Sequence, residues 1–515
     1  MLRQFSSPVV AAAALAVAAA GLLHAAPDVA AGASPAGTDP ALRERVILVK
    51  PVIVHDDDGT HPARHALPKA ALDAAFSRAG AEVIFLEPIP WHNGPARRGE
   101  STPAEIAKQG RASGVIAADR RVITIMFVSG VDGQAGPTAA GRADGQVCFV
   151  ALGPAGETPP PATDDALAVE RALLRCFEPP QAADSSQQAN EAARDQADGA
   201  ADDESATRAS GLALPRVHCH PAAESRELLA DESWFAFHAT STPDAARFAL
   251  GLAPDAPVPA DPAERAKFSR ERHAATAVDF TASERAALER AVAALRRELG
   301  TDWPLVSRLP WHFVKVKSGF CNDLPHTRGM ATVLSQAALR QLLDEPEMAR
   351  FLLFHEKIHV VQRLNPGRFS ALFQAYGYHP VRLAAGEAAR LNLLVNPDAP
   401  VHDHAITVDD RTVLIAPVFV REGDRIGFAE NYFLLKPGDG GVFLIDGEFP
   451  AAPVEQWLDR FVIRSGYDHP NETFAYHCNL LLDLRQRKEL AQANDHPMLR
   501  ATIEAAPAIF RLSGE

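Results

Sequence analysis

Between Pro346 and Pro366 the chain reads Glu347-Met-Ala-Arg-Phe-Leu-Leu-Phe-His355-Glu356-Lys357-Ile358-His359-Val-Val-Gln-Arg-Leu-Asn365. The stretch is bounded by prolines and contains no internal glycine or proline, so it predicts a helix of about five turns. Its apolar content, Phe351 to Phe354 and Val360-Val361, implies that this helix is largely buried. Residues four apart share a helix face, so His355 and His359 present their imidazoles to one point, an arrangement that suits two ligands of a tetrahedral zinc ion. Glu356 is rotated by about 100° from His355, where its carboxylate reaches a metal-activated water without ligating the metal. Two histidines and a glutamate inside an apolar run would be costly without partners, which favours a metal site over a chance pair of surface histidines.

Working outward, a catalytic zinc takes three protein ligands and a water. The His-Glu-x-x-His pattern resembles the zincin metallopeptidases, and with no third histidine shortly after His359 that resemblance implies a glutamate in the third place, for which two compete. Glu387 lies 28 residues beyond His359, in Ala384-Ala-Gly-Glu-Ala-Ala-Arg390. Glu472 lies 113 residues beyond it, in Tyr467-Asp-His-Pro-Asn-Glu-Thr-Phe-Ala-Tyr-His-Cys478. Asp468 and Pro470 are helix-start signals and Leu480 to Leu484 continue the helix, which puts Glu472 in the first turn of a buried helix and makes it the preferred ligand.

The third histidine of the metzincin continuation is absent, and Asn471-Glu472-x-Phe474-Ala475 is similar to the third-ligand helix of gluzincins. The resemblance covers roughly residues 280–515 and implies an α+β fold, with a zincin-like C-terminal catalytic domain preceded by an α/β N-terminal domain. It implies Zn2+ held by His355, His359 and Glu472, Glu356 as general base, and hydrolysis of a peptide or protein substrate. Gluzincins hold the developing oxyanion with a Tyr or His; Tyr467 and His469 are the candidates, followed by Tyr378 and His379. All five tyrosines follow the metal helix. Arg328 to Leu334 occupies the place of the zincin edge strand, with His326 and Arg328 near enough to contact substrate. Lys357 departs from the usual uncharged residue and is expected to project away from the ligands. The methionine-glutamate signature of aminopeptidases is missing. The competing reading is a non-catalytic binding or scaffold protein that keeps a zincin fold.

The rest of the chain sets the context. Its 515 residues call for two folded domains, and 47% hydrophobic with 23% charged residues is an ordinary globular balance. A net charge of −14, without a basic patch, argues against nucleic acid. Arg3 followed by the apolar run Val9 to Leu23 reads as a signal peptide over residues 1–25, too short to span a bilayer. The mature protein is therefore expected to be secreted or periplasmic, without stable membrane insertion. Residues 40–178 read as an α/β domain with strands at Val46 to Val54, Ala81 to Leu86, Arg121 to Val128 and Gln146 to Leu152, and helices at Pro68 to Ala79 and Asp164 to Cys176. Val169 to Leu173 stands where a degenerate zincin-like unit would have lost its histidines. Residues 179–211 carry seven acidic and two basic residues and no aromatic, the composition of a disordered linker. Residues 212–262 are expected to complete the first domain and end in a Pro-rich connector. A helix capped at Thr281 or Ser283, strands at Trp311 to Val316 and Met330 to Leu334, and a short helix at Ser335 to Leu343 precede the metal helix. Between the metal helix and Glu472, strands at Thr412 to Val420, Tyr432 to Leu435 and Gly441 to Ile445 suggest a small sheet beside the cleft. Cysteines stand at 148, 176, 219, 321 and 478; Cys219 between His218 and His220 reads as a bridged or free thiol before it reads as a metal ligand.

Overall fold

The computed structural model describes residues 45–152, with breaks of which the longest are 70–80 and 139–146, and residues 214–512, with short breaks of which the longest is 233–236. The signal segment 1–25, the linker 179–211, the helix at Asp164 to Cys176 and, apart from Lys69, the helix at Pro68 to Ala79 lie outside the described residues. Among the described residues no helix is long and apolar enough to cross a membrane. The chain divides into two compact units, one containing Arg43–His218 with Arg308–Pro310, the other Cys219–Ser307 with Trp311–Phe510.

In the first unit, strand β1 (Arg45–His55) pairs in parallel with β2 (Ala81–Phe85) on one side and with β3 (Val122–Val128) on the other, and β3 pairs in parallel with β4 (Val147–Leu152). Every residue of β2 and β3 is buried, as expected of parallel strands covered on both faces, and this is why they read as unbroken apolar runs. Helix α1 (Pro103–Ala112) starts at a capping box of Thr102 and Glu105 and lays Ile106 and Ala107 against Val52, Val54, Met126 and Phe149. Cys148 on β4 is disulfide-bonded, whereas Cys219, Cys321 and Cys478 are free.

The second unit mixes helices with two sheets, giving the chain its α+β character. Residues 219–262 pack here instead of completing the first unit: Leu229 of α2 (Ala222–Ala230) and Ala249 of α3 (Pro243–Ala249) join Val314, Val316, Ala331 and Val333 in one core. Short helices with small apolar faces do not declare in sequence which sheet will bury them. Helix α4 (Ala282–Leu299) is capped by Thr281, whose hydroxyl accepts the Glu284 N–H while the Glu284 carboxylate accepts the Thr281 N–H; Leu288, Val292, Leu295 and Leu299 face inward.

Strand β5 (Trp311–Val316) pairs in parallel with β7 (Ala331–Ser335), which pairs antiparallel with the outer strand β6 (His326–Arg328). The single edge strand expected over Arg328 to Leu334 is thus a hairpin, because Gly329 adopts φ +56° and lets Arg328 pair with Ala331 across a two-residue turn. Helix α5 (Gln336–Asp344) leads into α6 (Pro346–Leu364), which carries His355, Glu356 and His359 and is buried on nearly all sides over its second half.

After α7 (Ser370–Tyr376) the chain forms a five-stranded antiparallel meander: β8 (Tyr378–Pro380), β9 (His404–Val408), β10 (Arg411–Glu422), β11 (Arg425–Pro437) and β12 (Phe443–Glu448). Asp409 and Asp410, both at positive φ, form the tight turn that closes β9 onto β10. Helix α8 (Pro470–Gln486) then packs along α6, and α9 (Pro497–Phe510) covers α8.

Candidate metal centre

On α6 the side chains of His355 and His359 turn toward each other, their Nε2 atoms 3.1 Å apart. Helix α8 delivers Glu472 from its first turn, with Oε2 3.2 Å from His355 Nε2 and 3.5 Å from His359 Nε2. All three residues are buried. For a tetrahedral ion bound at about 2.0–2.1 Å, neighbouring ligand atoms stand about 3.3 Å apart. The triangle formed by the two nitrogens and the oxygen has these dimensions.

Hydrogen bonds behind the ligands set their orientation. Gln362 Oε1, one turn beyond His359, lies 2.9 Å from His359 Nδ1 and accepts its proton, while Gln362 Nε2 donates to the Asn471 carbonyl at 2.9 Å, so that one amide ties α6 to α8. The Asn479 side-chain amide lies 3.3 Å from His355 Nδ1, and its oxygen has no other partner among the described residues; turned to Nδ1 it accepts that N–H and frees the Nε2 lone pair. Asn396 Nδ2 donates to Glu472 Oε1 at 2.8 Å, leaving Oε2 for the centre. Each ligand therefore has the kind of supporting partner that fixes ring tautomer and carboxylate orientation in metal sites.

The electrostatics follow from burial. Burial alone would raise the Glu472 carboxyl, but His359 and the hydrogen bonds from both histidines outweigh it and hold the group well below the usual range. Burial alone would lower His359, yet Glu472 and then Asp398 push it up to about 10, so without a cation one proton on His359 balances the buried carboxylate. A divalent cation in the same place displaces that proton, and its affinity falls as pH drops. Glu356 is buried beside the triangle; burial first and the Asp398 charge second raise its pKa well above the carboxylate range. Its Oε2 has no hydrogen-bond partner among the described residues. A carboxyl carried into a helix core without a partner is expensive, and the expense is consistent with a group kept to move protons. Lys357 is equally buried but sits with its ammonium 4.9 Å from the centre of the Trp311 ring, pointing away from the ligands.

The other candidates are placed as follows. Glu387 stands at the start of a one-turn helix, pairs with Arg390 at 2.8 Å and accepts the Ile445 N–H, and is not among the side chains that converge on the two histidines. His469, not Asp468, caps α8: its Nδ1 accepts the Asn471 N–H at 3.1 Å and its Nε2 lies 2.8 Å from Asp403, so both ring nitrogens are engaged away from the ligand triangle. Tyr467 is buried, its ring packs near Phe461, and its carbonyl accepts the Tyr378 hydroxyl at 2.8 Å. Tyr378 is thereby a brace between α8 and the meander, and His379 next to it is half-buried. His326 and Arg328 lie buried on the outer strand. Cys219 is a free thiol that burial pushes up to about 12, and the neighbouring His220 is engaged by Glu224 and His312.

One residue was passed over. Tyr476 packs its ring 4.7 Å from that of His355, and Glu472 and Glu356 both act on its hydroxyl, which burial keeps protonated. It follows Glu472 by four residues, so the same helix-face rule that paired the histidines could have found it. No family model, no curated protein and no solved structure matches this chain.

Proposed function

We propose that this protein is an exported zinc metallopeptidase of the zincin type, gluzincin-like in its third ligand, whose catalytic unit lies within residues 280–515. The observation that carries the reading is the convergence of His355 Nε2, His359 Nε2 and Glu472 Oε2 at tetrahedral-edge distances beside Glu356, whose Oε2 has no hydrogen-bond partner among the described residues. The donor set, two imidazoles and one carboxylate with every supporting hydrogen bond on the far side, is that of a catalytic zinc with an open position. Zinc held there supplies Lewis acidity and brings the pKa of a water toward neutrality.

Glu356 takes the proton of the attacking water and returns it to the leaving amine, a transfer for which a raised pKa suits it. Tyr476 keeps its phenolic proton and donates to the oxygen of the attacked carbonyl, the role for which Tyr467 and His469 stood as candidates. Strand β6 is the last of its sheet, but its edge is covered, the Thr327 N–H donating to Asp398 at 2.7 Å, so backbone pairing of a peptide there would need Asp398 to move. Export is supported by the apolar Val9 to Leu23 run and by the disulfide at Cys148, a bond of oxidising compartments.

The test is metal content and peptide cleavage on the purified protein and on Glu356→Gln. The expected outcome is one zinc per chain in both, with turnover lower by about 10²–10⁴-fold in the variant. A chain that binds no zinc, or a variant that cleaves as well as the parent, would show the reading to be mistaken.

A further inference from the structure

A second feature of this unit is a buried guanidinium that makes no ion pair among the described residues. Thr327, Arg328 and Gly329 at the end of β6, Arg363 of α6, Leu228 of α2 with its C-cap Asp231, and Pro397 line a narrow recess. Arg328 is only 6% exposed, yet its Nε has no hydrogen-bond partner, its Nη2 lies 3.5 Å from a histidine nitrogen of His273, and its guanidinium rests 4.0 Å from the centre of the Phe237 ring. No carboxylate of the described residues forms an ion pair with it; Asp231, the acid in the recess wall, is engaged in interactions of its own. Glu232, close by, is spent on Arg270 and the Ala239 N–H, and Asp398 accepts from the N–H and hydroxyl of Thr327. Residues 233–236 read Ser-Trp-Phe-Ala and contain no acid. Arg363 makes three hydrogen bonds, to Thr327 Oγ1 and to the carbonyls of Gly329 and Pro397, which hold the wall in shape.

An unpaired buried guanidinium is destabilising, and a planar fork of this kind is matched by a carboxylate. Arg363 follows Glu356 by seven residues, two turns along the same helix face, or about 10 Å. An extended peptide advances about 3.3 Å per residue, so a group in the recess belongs to a residue two or three positions from the bond beside Glu356. We infer that the recess is a carboxylate subsite, and that preferred substrates carry a free C-terminal carboxylate or an acidic side chain two or three residues from the cleaved bond. The position of the cleaved bond rests on the peptidase reading above; carboxylate binding does not.

The experiment uses the full zinc-loaded chain and three N-acetylated peptides of one sequence: a free acid, its C-terminal amide, and an amide with one glutamate introduced. Affinity is measured by calorimetry and cleavage separately by mass spectrometry. At least one carboxylate-bearing peptide is expected to bind about 10-fold or more tightly than the neutral amide, and whichever does so identifies the source of the carboxylate. Arg328→Gln should abolish the preference while unfolding at the same or a higher temperature, since it removes an unpaired buried charge; Arg328→Lys should keep part of the preference. Equal affinity for the three peptides in the parent, or a preference that survives Arg328→Gln, overturns the proposal. Selective binding without cleavage leaves the recess standing and removes the peptidase; cleavage without selectivity does the reverse.

Discussion

Two clusters in the second unit have the same composition and different states of their rings. His355, His359 and Glu472 form one; His404, His469 and Asp403 form the other, and in each the candidate ligand atoms lie within 4.8 Å of one another. In the first, both Nε2 atoms turn inward; Gln362 Oε1 takes up the His359 Nδ1 proton, and the Asn479 amide does the same for His355 when its oxygen is turned to Nδ1. In the second, His469 Nδ1 is already an acceptor for the Asn471 N–H, so its proton sits on Nε2 and is donated to Asp403, while His404 Nδ1 meets the same oxygen at 2.6 Å. Partial burial would raise Asp403, but these two hydrogen bonds hold it below the usual carboxylate range. The second cluster is a brace that seats the N-terminus of α8, and with it Glu472. The contrast teaches that two histidines and a carboxylate become a metal site only when the surrounding donors and acceptors put the lone pairs, not the protons, at the centre.

The sharpest way to break this comparison is to remove one carboxylate from each cluster and measure zinc. Glu472→Ala is expected to lose the metal at micromolar zinc, whereas Asp403→Ala and Glu387→Ala keep it; retention in Glu472→Ala with loss in Glu387→Ala would reverse the ligand assignment. A smaller effect is expected behind the ligands. Gln362→Ala frees the His359 ring and severs the tie to α8, and should weaken zinc binding by about 10–100-fold in a competition titration against a chelator.

Acid separates the clusters from their surroundings. His326, His402 and His477 are held down to about 4 and His238 to about 3, in each case chiefly by burial, against an ordinary value of 6.5. Their folded pKa lies below the unfolded one, so these four rings bind more protons in the unfolded chain, and their contribution to stability is full above 6.5 and falls as pH drops from 6.5 toward 4. Asp403, with its depressed pKa, adds its own loss only below about 4. Urea midpoints of the zinc-free protein at a series of pH values should show the first fall in that upper window; a flat profile there would mean these rings are hydrated. The smallest expected change is His469→Ala, which deletes the cap of α8 and should lower stability by about 0.5–2 kcal/mol in denaturant unfolding while zinc remains bound.

Much of this was legible along the chain because it is local. The proline boundaries and four-residue spacing of α6, the Thr281 capping box and the fully apolar strands β2 and β3 are statements about neighbours in sequence, and backbone geometry carries them directly into structure. Glu472 was legible as a first-turn residue of α8 for the same reason, as Gln362 and Tyr476 would have been. The split of the edge strand at Gly329 was harder, since a glycine between two apolar stretches leaves the turn type open. Where residues 219–262 pack was not legible at all, because short amphipathic helices fit more than one sheet.

What the sequence determined by itself is the helix that carries His355, Glu356 and His359, together with a short list of glutamates to complete it. Only the tertiary structure decided that Glu472 meets them from 113 residues beyond His359, that Asn396 and Asn479 stand behind the candidate ligands, that His469 is a cap, and that Arg328 is buried without an ion pair among the described residues. These are facts about where protons and charges find partners, and partners distant in sequence are set by how helices and sheets pack, which no local pattern encodes.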